Sequence, residues 1–477
     1  MRLQRSALYG VAVASLVLTG GLSAAGSAAS AAPPDRDRGG PGTWTKISTG
    51  GSGTTYHSSL YRTPNGVLHV VYPKGVGSAQ QLGHTAIRAN GTVASRQDVL
   101  AGPWSVVDST PAVIGGPGGG LRVVFGGQRT TGAGYWSDGR MYTATSSATG
   151  ASWALPTAAV GQSHEAYGSY GTAATTLADG TPIAAYPLNS TITWHVGTGE
   201  GDPDQSFEVA GCCVYNLAMV RDGSKVWLGW YANGGSASTN GTFVRQIHPS
   251  LGPIRKAPAS SRGADSLATG RVALAARVGG GVYAAYCVGY PTCSYVRLWK
   301  VGTSRVLNVT ASRYATAIAL SAGPAGRLWT AWADNIPRVR AMRTSRSALL
   351  QGPWRTLGMP RGSAAVHDLS LEGSTGRGDV VIQVGNGFWH SQVLAGLTLA
   401  ASPARWRHGV RRTVTFTVRD AGEAVSGARV RVGARHCTTG SRGKCVITFR
   451  RSVHAGRLVA TAVRSGYASA RVTLRVR

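Results

Sequence analysis

The sequence predicts an all-β protein: a β-propeller, with seven blades favoured and six possible, followed by a small β-sandwich. Three observations support this fold class: a segment that recurs about every fifty residues, the strand-like composition of each copy, and a change of pattern after residue 400. The chain of 477 residues is 43% hydrophobic and 14% charged, and its 67 glycines follow no strict period. These values exclude a disordered polyelectrolyte and a collagen-like chain.

Each copy of the repeat is a turn signal followed by a short apolar run, which in most copies ends in an aromatic residue. The first copy, residues 65–72, reads NGVLHVVY. Further copies lie at residues 120–125, 179–186, 225–230, 281–286 and 327–332, with a weaker seventh at 379–384. Runs rich in β-branched and aromatic residues and bounded by Gly, Asn or Asp are typical of strands. No long stretch has a convincing 3.6-residue period, so this repetition predicts a propeller.

The flanks of each copy predict the rest of a four-stranded blade. A run of small and apolar residues such as 172–177 precedes it, and a strand with polar alternation such as 242–245 follows it. Tryptophans are predicted to open fourth strands, at Trp44, Trp104, Trp153 and Trp354. Because the last repeat offers three strands, the segment 42–47 is predicted to complete the final blade and remove an exposed edge.

The pattern changes after the seventh copy. Short strands such as 414–418 and 428–432, with the turn residues Gly466-Tyr467, resemble a small bacterial Ig-like or carboxypeptidase-regulatory-like sandwich. Such modules usually bind, space or anchor. The predicted organisation is a signal peptide at 1–31, a disordered linker at 32–42, the propeller at 43–398, a linker at 399–411 and a strongly basic Ig-like sandwich at 412–477.

The first residues predict export. Arg2 and Arg5 precede an apolar run at 7–22, and small residues at 29–31 offer a cleavage site. No later stretch is long and apolar enough to span a membrane, so a secreted, extracellular protein is expected.

Six cysteines, an even number, fit an oxidising compartment. Cys287 and Cys293 bracket one short loop, and Cys437 and Cys445 bracket another, so each pair is predicted to form a disulfide. The adjacent residues Cys212-Cys213 form a vicinal disulfide or remain a free or exchanged pair. Zinc binding is disfavoured because neither loop has the spacing of a structural zinc site.

The charge is strongly positive and uneven. The formal net charge is +30, and residues 401–477 hold 17 Lys and Arg against 2 acids, a net of +15. A dense basic region favours polyanions. Outside the cell the expected partners are an acidic polysaccharide or glycan, a cell-wall polymer or an anionic membrane, and no nucleic acid is expected. The alternative is that arginine only keeps the protein soluble.

Residues 146–153, SSATGASW, resemble the Asp-box (bacterial neuraminidase repeat) of sialidase-like propellers, with Ala148 where that motif has Asp. The spacing of the repeats resembles that of such propellers over about residues 43–398, with degenerate boxes. The resemblance implies a propeller in which the box is a structural hairpin. Sialidases also carry an arginine on the first strand, and Tyr56 occupies that position here. Tyrosine cannot replace a bidentate arginine, so sialidase activity is not expected.

Candidate site residues lie at the starts of the predicted first strands, which should surround the mouth of a central channel. The candidate catalytic residues are His57, His164, Glu165, Tyr170 and His367. The candidate substrate-binding residues are Tyr56, Tyr215, Asn216, Arg271 and Tyr314. Tyr and Arg can stack on and hydrogen-bond sugars, and a His with a Tyr can transfer a proton beside a carboxylate that Arg neutralises. The constellation resembles that of polysaccharide lyases on seven-bladed propellers. The alternative is that these residues cap strand ends.

A glycosidase needs two carboxylates across one pocket. Acids are scarce, the main ones being Glu165, Asp202, Asp204, Glu208, Asp334 and Asp368. Asp202 and Asp204 could bind Ca²⁺ or form a turn. No nucleophile elbow, phosphate-binding loop or HExxH motif is present, so no cofactor and no resident metal are expected.

Two hypotheses follow. In the first, a secreted propeller recognises a carbohydrate, an acidic glycan or cell-surface polymer, and the basic module anchors it. In the second, the chain is a secreted carbohydrate-active enzyme of sialidase-like fold, a polysaccharide lyase or a glycoside hydrolase.

Overall fold

In the computed structural model, most of the chain after residue 39 is described. The described residues are 40–48, 57–76, 79–100, 104–107, 110–131, 134–135, 140–154, 160–161, 171–188, 190–210, 214–233, 235–236, 238–260, 272–289, 293–310, 315–334, 336, 338–360 and 365–477. The predicted signal peptide, the linker up to residue 39 and the Cys212-Cys213 pair lie outside these ranges.

In the described ranges, seven sheets of four or more strands precede residue 394. The first strand in these ranges is β1 (Thr45–Lys46). The first sheet contains β2 (Ser59–Arg62), β3 (Leu68–Val76), β4 (Ala79–Ile87) and β5 (Val93–Asp98). The second contains β6 (Trp104–Val107), β7 (Ala112–Gly115), β8 (Leu121–Thr131), β9 (Gly134–Tyr135), β10 (Arg140–Ser146) and β11 (Trp153–Ala154).

The next three sheets have four strands each. The third contains β12 (Ala173–Thr176), β13 (Pro182–Leu188), β14 (Thr191–Val196) and β15 (Gln205–Glu208). The fourth contains β16 (Val214–Asp222), β17 (Lys225–Ala232), β18 (Gly241–His248) and β19 (Arg255–Lys256). The fifth contains β20 (Ala273–Ala276), β21 (Val282–Val288), β22 (Tyr295–Lys300) and β23 (Val306–Thr310).

The sixth sheet contains β24 (Ala315–Ala322), β25 (Leu328–Asp334), β26 (Arg338–Arg343) and β27 (Arg355–Leu357). The seventh contains β28 (Asp368–Glu372), β29 (Gly378–Val384), β30 (Gly387–Val393) and the N-terminal β1. Two 3-10 turns, Pro117–Gly119 and Pro324–Gly326, lie between the first and second strands of their blades. The innermost strands contact one another in sequence and form a closed ring, so the all-β propeller prediction is confirmed.

Every copy of the sequence repeat falls on the second strand of a blade: β3, β8, β13, β17, β21, β25 and β29. These strands lie between two partners within their sheet, and neighbouring sheets cover both of their faces. All seven residues of β25 are buried, including Trp329 and Trp332. A strand buried on both faces reads as a continuous apolar run, which explains why the repeat is clearest there.

The N-terminal strand closes the ring. Thr45 pairs with His390 and Lys46 with Trp389 on β30. The backbone N–H of Ile47 donates to the carbonyl of Phe388 at 2.9 Å, and the Ile47 side chain is fully buried. The closure predicted from the segment 42–47 is therefore the observed one.

One predicted strand belongs to a different sheet. Trp104 was expected to open the fourth strand of the first blade, but β5 fills that position and β6 pairs with the end of β8. Trp104 is buried between the two blades, with its ring edge-on to Phe125 and Tyr142 at 5.2 and 5.0 Å. The large ring fills the space between sheets, and this packing decides the strand's position.

The C-terminal region is a two-sheet sandwich, as predicted. Its strands are β31 (Ala395–Gly396), β32 (Thr398–Ser402), β33 (Arg405–Trp406), β34 (Arg412–Asp420), β35 (Glu423–Ala424), β36 (Arg429–Val432), β37 (Arg435–Thr438), β38 (Lys444–Phe449), β39 (Gly456–Val463), β40 (Tyr467–Ala468) and β41 (Ala470–Val476). One sheet has β32, β34, β35 and β38, and the other has the order β33-β41-β39-β36-β37. Residues such as Phe416, Val430 and Leu474 form the core between them.

The stretch 399–411, expected to be a linker, contains most of β32 and all of β33. The alternating sequence of β32 explains the difference, because Leu399 and Ala401 face the sandwich core while their neighbours are exposed. Both predicted loop disulfides are present, Cys287–Cys293 and Cys437–Cys445, with Cα atoms 5.4 and 5.9 Å apart. Within the described ranges, no helix is long and apolar enough to cross a membrane.

Candidate functional site at the channel mouth

The innermost strands surround a central channel of about 220 Å³. Each of the seven sheets contributes two or three consecutive residues to its wall. Most of them are small or aliphatic, with alanine at 112, 173, 174, 218, 273 and 319. Ser58, Ser59 and Ser370 are the hydroxyl-bearing residues of this wall, and they lie where the first and seventh sheets meet. Among the described residues, the side chains of the channel wall therefore offer few groups that could bind a polar ligand.

The first strands run in the same direction around the channel. Ser58 lies beside Asp368, and Arg62, four residues later, lies beside Glu372 on the adjacent strand. The starts of these strands therefore gather at one end of the channel, which we call the mouth. Of the candidate site residues, His57, Tyr215 and His367 are described there. Tyr56, His164, Glu165, Tyr170, Arg271 and Tyr314 lie outside the described residues, as does the side chain of Asn216.

His57 is buried, with 1% of its surface exposed, and its Nδ1 lies 2.9 Å from Oδ1 of Asp368. The other carboxylate oxygen, Oδ2, accepts hydrogen bonds from the backbone N–H and the hydroxyl of Ser58, both at 2.8 Å. Burial raises the pKa of Asp368, but the charge of His57 and the hydrogen bonds from His57 and Ser58 outweigh it, so the pKa is lowered. This arrangement joins the first and seventh sheets.

The other two described candidates are more accessible. Tyr215 is half-buried at the start of β16, and its ring centroid lies 6.1 Å from that of Tyr231. Val272 packs with this pair. His367 is exposed, one residue before β28. Tyr231 itself is buried, so the mouth presents the half-buried Tyr215 and the imidazole of His367, groups that can contact and hydrogen-bond sugar rings.

Sequence reasoning missed a second polar cluster between the first and seventh sheets. The guanidinium of Arg62 donates to Glu372 and to Asp379, both at 2.5 Å. Asp379 also accepts from His390 at 2.8 Å and from Gln392 at 2.9 Å. Burial raises the pKa of Asp379, but these hydrogen bonds and the charges of His390 and Arg62 lower it overall. Arg62 is more than 300 residues from Glu372 and Asp379, so no local pattern could reveal these contacts.

Sequence reasoning also missed a buried histidine pair. Nδ1 of His69 lies 2.9 Å from Nε2 of His84, and the rings stack with centroids 5.2 Å apart. The edge of Trp153 from the second sheet contacts His84. Burial lowers the pKa of His69 to about 4 and that of His84 to about 3. Both imidazoles are therefore neutral at pH 7.

The described acids that were candidates for hydrolysis or Ca²⁺ binding lie beside basic side chains or at the surface. Asp204 lies 3.1 Å from Nδ1 of the buried His195, and Asp202 is exposed two residues before it. Asp334 contacts Arg338 at 2.9 Å and Arg340 at 3.4 Å on the neighbouring strand. Glu208 is exposed at the end of β15. None of these described carboxylates lies in the channel wall.

The basic charge of the sandwich is concentrated at its surface. Of the 17 Lys and Arg in residues 401–477, 16 are exposed and Arg435 is half-buried. Both acids of this region turn toward the sixth sheet. Asp420 is buried and contacts Arg343 at 2.5 Å and Arg327 at 3.3 Å. Glu423 pairs with Arg327 and accepts a hydrogen bond from the backbone N–H of Arg346 at 2.9 Å.

The sequence matches no model of a known protein family, and no curated protein is similar to it. Among solved structures, similarity is found to a polysaccharide lyase, Uly1, with 8% identity, 73% of this chain and 92% of that chain covered and a TM-score of 0.41. A GH93 α-L-arabinofuranosidase of Fusarium graminearum shares 10% identity, with 73% and 97% covered and a TM-score of 0.40. An intramolecular trans-sialidase from Ruminococcus gnavus shares 8% identity, with 71% and 94% covered and a TM-score of 0.37. Identities and TM-scores this low say nothing of substrate or reaction here.

Proposed function

We propose that this chain is a secreted carbohydrate-recognition protein. In this proposal the propeller mouth binds a glycan, and the basic sandwich holds the molecule to an anionic polymer such as an acidic polysaccharide of a cell surface. The observation that carries the proposal is the charge segregation in the sandwich: 16 exposed basic side chains, with both acids used in the contact with the propeller.

The charge segregation favours polyanion binding over mere solubility. A surface charged for solubility commonly mixes both signs. Here Asp420 and Glu423 neutralise propeller arginines, so the outward surface of the sandwich keeps almost all of its positive charge. Such a surface raises the local concentration of polyanions and gains free energy from the release of their counterions.

The channel supports binding at the mouth over binding in the interior. Its wall is mostly alanine and aliphatic side chains, which offer no hydrogen bonds to a sugar. The mouth carries the half-buried Tyr215 and the exposed His367. His57, a candidate acid–base residue, is buried against Asp368, an environment that favours a role in joining sheets.

A binding panel tests the proposal. The purified protein is titrated with neutral and acidic polysaccharides at 50 and 300 mM salt, and new reducing ends and the ultraviolet absorbance of unsaturated uronates are followed in parallel. We expect binding to acidic polymers that weakens steeply with salt, and no product. No binding to any polymer would contradict the proposal.

The same panel separates the two hypotheses. Unsaturated product would establish a lyase in place of a binding protein, and reducing ends without unsaturation would establish a hydrolase. The variant His367→Ala then distinguishes the roles at the mouth, because an enzyme loses turnover and keeps affinity, whereas a lectin loses affinity alone. Arg346→Gln, at an exposed side chain in the turn after β26, is the control.

A further inference from the structure

The outer face of one sandwich sheet carries arginines in two rows that cross its strands. Arg405, Arg475 and Arg457 are direct partners on the adjacent strands β33, β41 and β39. In the second row, Thr461 on β39 lies between Arg431 on β36 and Arg471 on β41. Directly paired residues point to the same face of a sheet, and all five arginines are exposed.

The spacing of these rows follows from sheet geometry. Neighbouring arginines within the first row are about 5 Å apart at the backbone, and the two rows are separated by four residues, or about 13 Å along the strands. Both distances are comparable to a Debye length of roughly 10 Å, so the fields of the five charges overlap.

The rows have no acidic partners among the described residues, which include the whole sandwich. Arg457 lies directly opposite Arg475, and like charges in this position destabilise a sheet. In the part of the chain that the structure describes, no acidic side chain offsets this repulsion. An external anion would offset it.

One end of this face forms a hollow of about 310 Å³, lined by Gly427, Arg429, Arg431, Val463, Arg464 and Ser465. The Arg464 guanidinium is held over the loop by a hydrogen bond from Nη1 to the carbonyl of Gly427 at 3.2 Å. Gly427 has φ +70°, and a Cβ there would meet that guanidinium at 2.3 Å, so the close approach needs glycine. Three guanidinium groups around one hollow suit a carboxylate, sulfate or phosphate group, which arginine can bind in bidentate fashion.

We propose that this face, with the hollow at its end, is the polyanion-binding site, and that its ligand is a linear acidic polysaccharide lying across the strands. The inference rests on the proposed function and assigns the site and ligand class. Thr473 and Val459 lie between the rows, and Thr461 lies within the second row. Phe, Tyr and Trp, which stack on nucleic-acid bases, are absent from these paired residues, where His436 opposite Arg431 is the one aromatic ring. Val459 is the single apolar side chain between the rows, too small a group to anchor in a membrane, so a polysaccharide is favoured over both.

Two variants of equal charge test the site. The face variant carries Arg431→Gln, Arg457→Gln, Arg471→Gln and Arg475→Gln. The control carries Arg411→Gln, Arg412→Gln, Arg450→Gln and Arg451→Gln, four exposed residues at or beside one end of the other sheet. Binding of the full protein to polygalacturonate and to dextran sulfate is measured as a function of salt, with uncharged dextran as the blank.

We expect the face variant to lose at least tenfold in affinity and to lower the salt slope by about 3, since each lost contact removes about 0.7. The control should lose less than threefold. Equal losses would overturn the site assignment, because net charge alone would then explain binding. If the unmodified protein binds neither acidic polymer, the proposed function itself fails. Tighter binding to oligonucleotides or to phosphatidylserine vesicles than to the polysaccharides would overturn the ligand class.

The single variant Arg457→Gln supplies an independent readout. Relief of the repulsion with Arg475 should raise the melting temperature at low salt while polymer affinity falls. A fall in both the melting temperature and the polymer affinity would overturn the inference that the row binds a ligand at a cost in stability, because Arg457 would then stabilise the folded protein.

Discussion

Buried imidazoles lie at contacts between the sheets of this propeller. His57 and His390 lie where the first and seventh sheets meet, and His84 contacts Trp153 of the second sheet. Each imidazole is hydrogen-bonded to a side chain that is distant in sequence or lies on another strand. The sequence marked His57 and Asp368 separately as candidates, but their pairing depends on ring closure, which no local pattern contains.

The histidine pair predicts a pH-dependent stability. The pKa values of His69 and His84 are lowered from 6.5 to about 4 and about 3, so below pH 6.5 the unfolded chain takes up protons that the folded chain does not. The stabilising contribution is complete above that pH and is lost as the pH falls toward 4. We expect a loss of about 2 kcal/mol per imidazole between pH 7 and pH 5.

The free energy of unfolding in urea, measured at half-unit pH steps, checks this prediction. The double variant His69→Gln/His84→Gln should be less stable at pH 7 and should have a flatter profile between pH 7 and pH 5. His436→Gln, at an exposed histidine of the sandwich, is the matched control. An unchanged slope in the double variant would assign the pH dependence to other groups.

Strands differ in how well the sequence predicts them. The second strand of each blade was recognisable because burial on both faces makes it a continuous apolar run, as in β25. Trp104 was assigned to the wrong sheet because a tryptophan signals packing between sheets and does not say which sheet its strand joins. The sequence pattern did not predict the two strands within the expected linker, because β32 has five residues and β33 has two.

The junction between β26 and the β34–β35 hairpin is predicted to couple the sandwich to the propeller. Asp420→Ala would leave the buried guanidinium groups of Arg327 and Arg343 without this carboxylate. Removal of one partner from a buried ion pair costs about 3–5 kcal/mol. Scanning calorimetry should then show two separate transitions where the unmodified protein shows one.

Arg346→Gln is the control for the junction, because this side chain is 70% exposed and its contact with Glu423 is 3.7 Å long. An exposed pair contributes about 1 kcal/mol or less. A single transition at a nearly unchanged temperature in Asp420→Ala would contradict the coupling. The sequence held one signal of this junction, since Asp420 and Glu423 are the two acids in a region with 17 basic residues.

At the scale of the whole molecule, the propeller is closed by its own N-terminal strand. β1 covers the edge of β30, while Ile47 is buried against the first sheet and its carbonyl accepts a hydrogen bond from Thr85 at 2.8 Å. Deletion through residue 48 would expose the edge of β30, and an uncovered edge promotes association.

Chains lacking residues 1–39 and 1–48 can be compared by size-exclusion chromatography and thermal melting. We expect the first to remain dispersed and the second to aggregate or melt at lower temperature. A peptide of residues 40–48 added in trans should restore part of the melting temperature. Identical behaviour of the two chains would show that β1 does not maintain the ring.

The same closure sets the order of events when the chain is made. The hydroxyl of Ser48 accepts a hydrogen bond from the backbone N–H of Phe388, 340 residues later. Joining ends so far apart costs roughly 5 kcal/mol of chain entropy, and non-local pairing of this kind slows folding. The earliest strand of the propeller must therefore stay unpaired until the last blade has been synthesised. The ring is complete only when nearly the whole propeller has left the ribosome, and before that moment the first blade and the most recently finished blade each leave one face uncovered.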